Sequence, residues 1–235
     1  MAIRWVFFDI GDVLFDEDAP HLYYYHTLLA AMRRRGIAVT WDEYHARIQA
    51  CVREKPANPI IDAARHYVPD DALWDEIYHE GRGVYEAVRK PRPYGMLLDD
   101  ITAVVQEMRK EFHVGIIANQ HTQILQGLDD YGISSLFDVK VIDEVVGVSK
   151  PDPAIFHLAL EQAGCTPNEA IMIGDRPDND IVPAKAVGMP TIRFRRGILY
   201  ALYDPRREEE RADIVVREAP RLLPAVRRIA QSQTE

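Results

Sequence analysis

The chain has 235 residues, of which 47% are hydrophobic and 28% are charged, an ordinary composition for a globular protein with a buried core. Its formal charge of −9 and pI near 5.4 argue against nucleic-acid binding, which needs a basic face. Cys51 and Cys165 lack the spacing of a disulfide framework or zinc site, and no segment approaches the roughly 18 apolar residues of a membrane span, so we expect a cytoplasmic protein without a membrane partner.

The N-terminal third combines one strand with a long helical block. The apolar run IRWVFF at residues 3–8 predicts a buried strand that ends at Asp9. Residues 17–92 then show helical periodicity only, with Gly36 as a helix stop and Thr40, followed by Glu43, as a capping box. Pro91 and Pro93 mark the end of this block. We therefore predict an all-helical cap domain at residues 17–92, inserted after the first strand.

The rest of the chain alternates between helices and strands. Strands are predicted at residues 113–119, 137–143, 169–175, 190–195 and 212–216, and helices at residues 97–111, 122–133, 152–164, 180–188 and 219–231. This alternation predicts an α/β fold class, in which a doubly wound, mainly parallel Rossmann-like sheet carries helices on both faces. The corresponding core domain comprises residues 1–16 and 93–235.

Polar residues stand where the predicted strands end. Asp9 follows the first strand, Asn119 and Gln120 follow the second, Asp175 ends a later one, and Lys150 precedes a helix. Ligands of open α/β sheets bind at the carboxyl ends of the strands, so these side chains are candidates for one site. Two aspartates suit an oxygen-preferring ion such as Mg²⁺, while a lysine and loop amides suit phosphate oxygens.

Four motifs carry a resemblance to a known family. The stretches FFDIGDVLFD, GIIANQ, GVSKPDPAIF and IMIGDRPDNDIVPAKAVGM resemble, in this order, the motifs of the haloacid dehalogenase-like (HAD) hydrolase superfamily with a helical cap of the first type. The resemblance implies that Asp9 is the nucleophile and forms an aspartyl-phosphate. It implies that Asp175 and Asp180 complete a Mg²⁺ site with Asp9, and that Lys150 binds both the nucleophile and the phosphate of a small phosphorylated metabolite.

Two residues depart from the family pattern. Gly11 stands where the family commonly has an aspartate that acts as general acid and base, a group that contributes about 10²–10⁴-fold in rate. The Gly11 carbonyl is still expected to ligate Mg²⁺. Ala118 stands where a serine or threonine hydroxyl usually binds phosphate, and losing that bond costs about 1.5–3 kcal/mol. The Asn119 backbone N–H is expected to bind the phosphate beside Ala118.

These departures leave three functions open. The favoured one is a Mg²⁺-dependent phosphatase, in which Asp12 or a cap residue supplies the missing proton. The second is a catalytically impaired protein that binds phosphorylated ligands. The third is a 2-haloacid dehalogenase, which needs no such proton; that branch generally lacks the acidic fourth motif, whereas GDRPDND is intact here. Monomer and homodimer both remain open.

Overall fold

The chain divides into two compact units. A computed structural model describes residues 2–54, 58–90 and 94–233. The sheet unit comprises Met1–Asp16, Met96–Gly197 and Pro205–Glu235, and the helical unit comprises Glu17–Gly95 and Ile198–Asp204. The second segment of the helical unit differs from the sequence prediction, which placed residues 198–204 in the core domain. The predicted boundary at residues 92 and 93, with Pro91 and Pro93, lies outside the described residues.

The described residues contain eight strands and ten α-helices. The strands are Trp5–Phe8 (β1), Phe15–Asp16 (β2), Met96–Leu97 (β3), His113–Ala118 (β4), Val139–Ile142 (β5), Ala170–Gly174 (β6), Thr191–Phe194 (β7) and Ile214–Val216 (β8). The helices are Asp18–Arg34 (α1), Trp41–Glu54 (α2), Pro59–Tyr67 (α3), Asp71–Arg89 (α4), Ile101–Met108 (α5), Gln123–Asp130 (α6), Asp143–Val146 (α7), Pro153–Ala163 (α8), Val182–Val187 (α9) and Leu222–Ser232 (α10).

Six of these strands form one parallel sheet in the order β5-β4-β1-β6-β7-β8, which confirms the predicted fold class. The chain winds outward from β1 first through β4 and β5, and then through β6, β7 and β8. Right-handed crossovers in two opposite directions place helices on both faces of such a sheet. The strand order therefore reverses beside β1, and the loop after β1 begins at this switch point, where α/β sheets bind ligands.

The sheet is buried because its strands are continuous apolar runs. All residues of β1 and β6 are buried, as expected for parallel strands covered on both faces. Helices α8 and α9 supply Ile155, Phe156 and Ala184 to a core that also contains Phe7 and Met172 of the sheet. Helices α5 and α10 pack against each other and against strands β4, β7 and β8.

Two short strands at the start and end of the helical insertion were not predicted. Strands β2 and β3 pair antiparallel, with Phe15 opposite Leu97 and Asp16 opposite Met96. The Leu98 N–H also donates to the Leu14 carbonyl at 2.9 Å. Residues 97 and 98, predicted as helical, therefore belong to this ribbon and the turn after it, and α5 begins only at Ile101.

The helical unit contains α1–α4 and one returning segment, residues 198–204. Its core includes Leu28, Met32 and Tyr44, and the returning segment adds Leu199 and Tyr200. The predicted capping box before α2 is confirmed, because the Thr40 N–H donates to the Glu43 carboxylate at 2.8 Å and the Glu43 N–H donates to Thr40 Oγ1 at 3.2 Å. The predicted stop at Gly36 is confirmed by its φ of +78°.

None of the helices in the described part of the chain combines the length and the apolarity needed to cross a membrane.

Substitution of Gly115 by alanine should destabilise the sheet beside the switch point. Gly115 of β4 lies opposite Phe7 of β1, and a Cβ at this place would lie 2.5 Å from the Phe7 ring. Overpacking of this kind should lower the free energy of unfolding by about 1–3 kcal/mol, measured by urea denaturation. The matched control is Gly83→Ala on the exposed face of α4, where a Cβ meets nothing within 4 Å. If Gly115→Ala were as stable as Gly83→Ala, the tight packing of β1 on β4 would be contradicted.

Candidate active site

Three loops at the carboxyl edge of the sheet bring the predicted residues together. Asp9 follows β1, Asn119 follows β4 and Asp175 follows β6, and β1 lies between the other two strands. The Asp9 N–H donates to the Ile173 carbonyl of β6 at 2.9 Å, which continues the sheet ladder to the residue that carries the carboxylate. The position of Asp9 is therefore fixed by the backbone of the neighbouring strand.

Lys150 is the centre of the site. Its Nζ lies 2.8 Å from Asp9 Oδ1 and 2.6 Å from Asp180 Oδ1. The lysine is 4% exposed and Asp180 is fully buried, so both ion pairs are shielded from water. Removing one partner of a buried ion pair leaves an uncompensated charge, which costs about 3–5 kcal/mol. Lys150 therefore holds two carboxylates together that would otherwise repel each other.

Asp180 reaches the site because of a missing side chain and an irregular helix. A Cβ on Gly174 would lie 2.3 Å from the Cβ of Asp180, so only glycine leaves room for the aspartate. Residues Pro177–Ile181 form a π-helical turn, a rare conformation that often occurs at functional sites. In this turn the Arg176 N–H donates to Asp180 Oδ2 at 3.0 Å, which orients the second carboxylate oxygen.

The Lys150 loop is attached to the loop after β4 through Asn119. The Asn119 side chain donates to the Lys150 carbonyl and accepts from the Lys150 N–H, both at 2.8 Å. Asp143, the first residue of α7, accepts from the Gln120 N–H at 2.7 Å and from Ser149 Oγ at 2.9 Å. Sequence reasoning did not single out Asp143, although it is a polar residue directly after a strand, the same signal that indicated Asp9 and Asp175.

The residues that depart from the family pattern have the following positions. Ala118 is the last residue of β4 and is fully buried. Gly11 lies in the turn after β1, where its backbone forms an isolated β-bridge with the backbone of Phe15. Asp12 is buried with a φ of +52°, and a Cβ on Gly197 would lie 2.6 Å from its Oδ2. The Asp12 carboxylate therefore lies directly against the Gly197 backbone.

The electrostatics of the site are dominated by negative charge. Burial raises the pKa of Asp175 well above its ordinary value, and the carboxylates of Asp180, Asp12 and Asp9 raise it further. Burial also raises the pKa of Asp180, to about 6, although Lys150 opposes the shift. Burial alone would lower the pKa of Lys150, but the carboxylates of Asp180 and Asp9 outweigh it and raise the pKa above its ordinary value. Lys150 is thus a permanent cation among carboxylates that it does not fully neutralise.

The carboxylates suit a divalent cation. Asp9, Asp175 and Asp180 each offer a carboxylate oxygen, and these oxygens all lie within 4.8 Å of one another. All three residues are buried, and Mg²⁺ takes carboxylate oxygens as ligands. Burial is the main cause of the raised pKa of Asp175 and Asp180, and repulsion from neighbouring carboxylates adds to it; a bound cation would relieve that repulsion. The donor set therefore fits the ion that the sequence motifs imply.

Comparisons with known proteins identify relatives of this chain. The profile of the haloacid dehalogenase-like hydrolases matches residues 3–188. The glyceraldehyde 3-phosphate phosphatase of Pyrococcus furiosus is 30% identical, over 99% of this chain and 97% of its own. The protein of the same name from Methanopyrus kandleri is 29% identical, over 97% of this chain and 99% of its own. The HAD-hydrolase YfnB of Bacillus subtilis, solved with bound magnesium, is similar in fold, with a TM-score of 0.67, 18% identity and coverage of 96% and 99%.

Gly174→Ala should move Asp180 away from Lys150 and weaken divalent-cation binding. The added Cβ overlaps the Asp180 side chain, so the aspartate must leave its place. Isothermal titration with Mg²⁺ should show affinity lowered by about tenfold or more, as expected when one carboxylate ligand is displaced. Gly83→Ala serves as the control and should bind like the wild type. Unchanged Mg²⁺ affinity in the Gly174 variant would contradict a ligand role for Asp180.

Stability of the metal-free protein should depend on pH through Asp180. Because its pKa is raised from 3.8 to about 6 in the folded state, the folded protein holds the proton more tightly than the unfolded chain. This contribution to stability is complete below pH 3.8 and is lost as the pH rises through about 6. The thermal midpoint in EDTA should therefore fall more steeply between pH 5 and pH 7 in the wild type than in Asp180→Asn. Parallel pH profiles for the two proteins would contradict this assignment.

Proposed function

This chain belongs to the haloacid dehalogenase-like hydrolase family, and we propose that it is a Mg²⁺-dependent phosphatase that hydrolyses a small phosphate monoester through an aspartyl-phosphate on Asp9. One observation carries the proposal: the ammonium of Lys150 contacts both Asp9 and Asp180, beside Asp175. A nucleophile, a fixed cation and a set of metal ligands are the components that metal-assisted phosphoryl transfer uses.

The relatives support a phosphate monoester as the substrate class. Two proteins that align with nearly the whole chain at 29% and 30% identity are named glyceraldehyde 3-phosphate phosphatases. A more distant relative, from Thermus thermophilus, is named phosphoserine phosphatase and is 25% identical over 71% of this chain. Their named substrates are small molecules with one phosphate on an alcohol oxygen. We propose the same class for this protein.

In the first step, a carboxylate oxygen of Asp9 attacks phosphorus. The new bond between this oxygen and phosphorus forms as the bond to the ester oxygen breaks. The leaving group departs with the electron pair as an alkoxide, which takes a proton from water to become the alcohol. The Asp9 side chain is 12% exposed, so it is not completely shielded from a substrate. Water then attacks the phosphorus of the aspartyl-phosphate and releases inorganic phosphate, which restores Asp9.

Lys150 supplies a positive charge throughout both steps. Its raised pKa keeps the ammonium protonated at neutral pH, so it can bind the phosphoryl oxygens as negative charge moves between them. The backbone N–H of Asn119, next to Ala118, is the proposed further donor to the phosphate. Asp9, Asp175, Asp180 and the Gly11 carbonyl are the proposed Mg²⁺ ligands. When bound, Mg²⁺ neutralises charge on the phosphoryl oxygens.

The same carboxylates distinguish the phosphatase from a dehalogenase. Displacement of a halide from carbon requires a carboxylate nucleophile and no metal. A cluster of three buried carboxylates would be costly to maintain in such an enzyme, because Lys150 pairs with only two of them, Asp9 and Asp180, among the ion pairs of the described residues. The cluster is accounted for by a cation that takes part in the reaction, so the phosphatase is the favoured function.

Hydrolysis of p-nitrophenyl phosphate tests the proposal. The wild type should turn over this substrate with Mg²⁺ and lose activity in EDTA. Asp9→Asn should lower turnover on the order of a thousandfold or more, because the amide is not a nucleophile.

The matched control is Asp129→Asn, the same substitution at an exposed position of α6, which should leave turnover unchanged. Absence of turnover in folded wild-type protein that binds Mg²⁺ would favour the impaired phospho-ligand binder over the phosphatase. Turnover that persists in Asp9→Asn would exclude Asp9 as the nucleophile.

Turnover should also depend strongly on the leaving group, because Gly11 cannot protonate it. Aryl phosphates, whose leaving groups need little protonation, should be hydrolysed about 10²–10⁴-fold faster than alkyl phosphates. Gly11→Asp should narrow this ratio by restoring a carboxyl group at the position where the family commonly has one. Equal rates on phenyl and ethyl phosphate in the wild type would show that another residue, such as Asp12, supplies the proton.

A further inference from the structure

A buried arginine lies in β7, the strand that pairs with β6 of the candidate site. Arg193, in β7, is 1% exposed and is the largest of the fully buried side chains in the described residues. Arginine is almost never fully buried unless its charge and its donors are used. Its neighbours within the strand, Ile192 and Phe194, are buried apolar residues of the kind expected there. A guanidinium at this position therefore requires an explanation beyond packing.

The sheet register places Arg193 next to the metal-ligand loop. Arg193 lies opposite Gly174, the last residue of β6 and the one whose missing Cβ makes room for Asp180. The loop from Asp175 to Asp180 begins at the following residue. Arg193 is therefore paired with the glycine that precedes Asp175 and leaves room for Asp180.

The contact between Arg193 and this loop is direct. Arg193 Nε donates to the Asp175 backbone carbonyl at 3.2 Å, and Asp175 follows β6 without an intervening residue. A charged donor on this carbonyl fixes the peptide plane from which the Asp175 side chain projects. Hydrogen bonds to charged groups are stronger than those between neutral groups, and burial strengthens them further.

We propose that Arg193 is a positioning residue that holds the Asp175–Asp180 loop in the conformation that presents both carboxylates to the metal. The inference rests on the proposed function of this loop as the cation site. Arg193 acts through Asp175, so its loss should reduce Mg²⁺ affinity and kcat while it changes KM for p-nitrophenyl phosphate little. A lysine at this position keeps the charge but lacks the Nε donor and the rigid fork of the guanidinium.

Hydrogen–deuterium exchange in EDTA tests the contact without metal or turnover. In Arg193→Met, the amides of residues 175–181 should exchange on the order of tenfold faster than in the wild type, whereas the peptides of β1 and β4 should not change. Two of the amides that report on this segment, those of Arg176 and Asp180, have hydrogen bonds within the loop. In Arg193→Lys, the amides of residues 175–181 should exchange at a rate between those of the wild type and Arg193→Met. This variant also allows the test if Arg193→Met does not fold.

The control is Arg227→Met, which removes an exposed arginine of α10 that pairs with Glu111 and should exchange like the wild type at residues 175–181. Mg²⁺ titration of the same proteins should show binding weaker by about tenfold in Arg193→Met, a smaller loss in Arg193→Lys, and no change in Arg227→Met. Wild-type exchange in Arg193→Met, or wild-type behaviour of Arg193→Lys in both measurements, would overturn the role assigned to the Nε contact. Failure of the wild type itself to bind Mg²⁺ would overturn the proposed function, while the exchange data would still decide whether Arg193 holds the loop.

Discussion

The buried ammonium of Lys150, between Asp9 and Asp180, is the interaction on which the site depends. Burying three carboxylates together is unfavourable, because burial and mutual repulsion both act against the charged forms. One lysine with two contacts of 2.8 and 2.6 Å makes the arrangement possible but leaves excess negative charge. We propose that this remaining charge attracts a cation and that the partly exposed Asp9 side chain is the nucleophile.

Backbone features around the site hold this charged group in place. Asp9 is hydrogen-bonded to the neighbouring strand, Asn119 binds the Lys150 backbone with both ends of its amide, and Gly174 leaves the space that Asp180 occupies. Arg193 Nε donates a hydrogen bond to the Asp175 carbonyl. A site of this kind needs its ligands in position before the substrate arrives, because reorganisation of charged loops during the reaction would raise the barrier. The rigid sheet edge supplies that preorganisation.

Sequence patterns predicted the parts of the structure that depend on local rules. The strand ends at Asp9 and Asp175, the capping box at Thr40 and the stop at Gly36 are all set by neighbouring residues, and the motifs indicated Lys150. Features that depend on distant contacts were not predicted. The ribbon of β2 and β3 has two residues per strand, too few for a periodic signal. The return of residues 198–204 to the helical unit, the use of the Asn119 side chain on Lys150, and the burial of Arg193 all follow from tertiary packing that no local pattern encodes.

The most direct test of the proposed mechanism is whether the site, with Mg²⁺, stabilises a phosphoryl group on Asp9 beside Lys150. Beryllium fluoride mimics a phosphoryl group bound to a carboxylate, and its adduct can be followed by fluorine NMR. We expect protein-bound fluorine resonances that require Mg²⁺ and are lost in Asp9→Asn. Absence of these resonances in folded wild-type protein with Mg²⁺, or their persistence in Asp9→Asn, would contradict it.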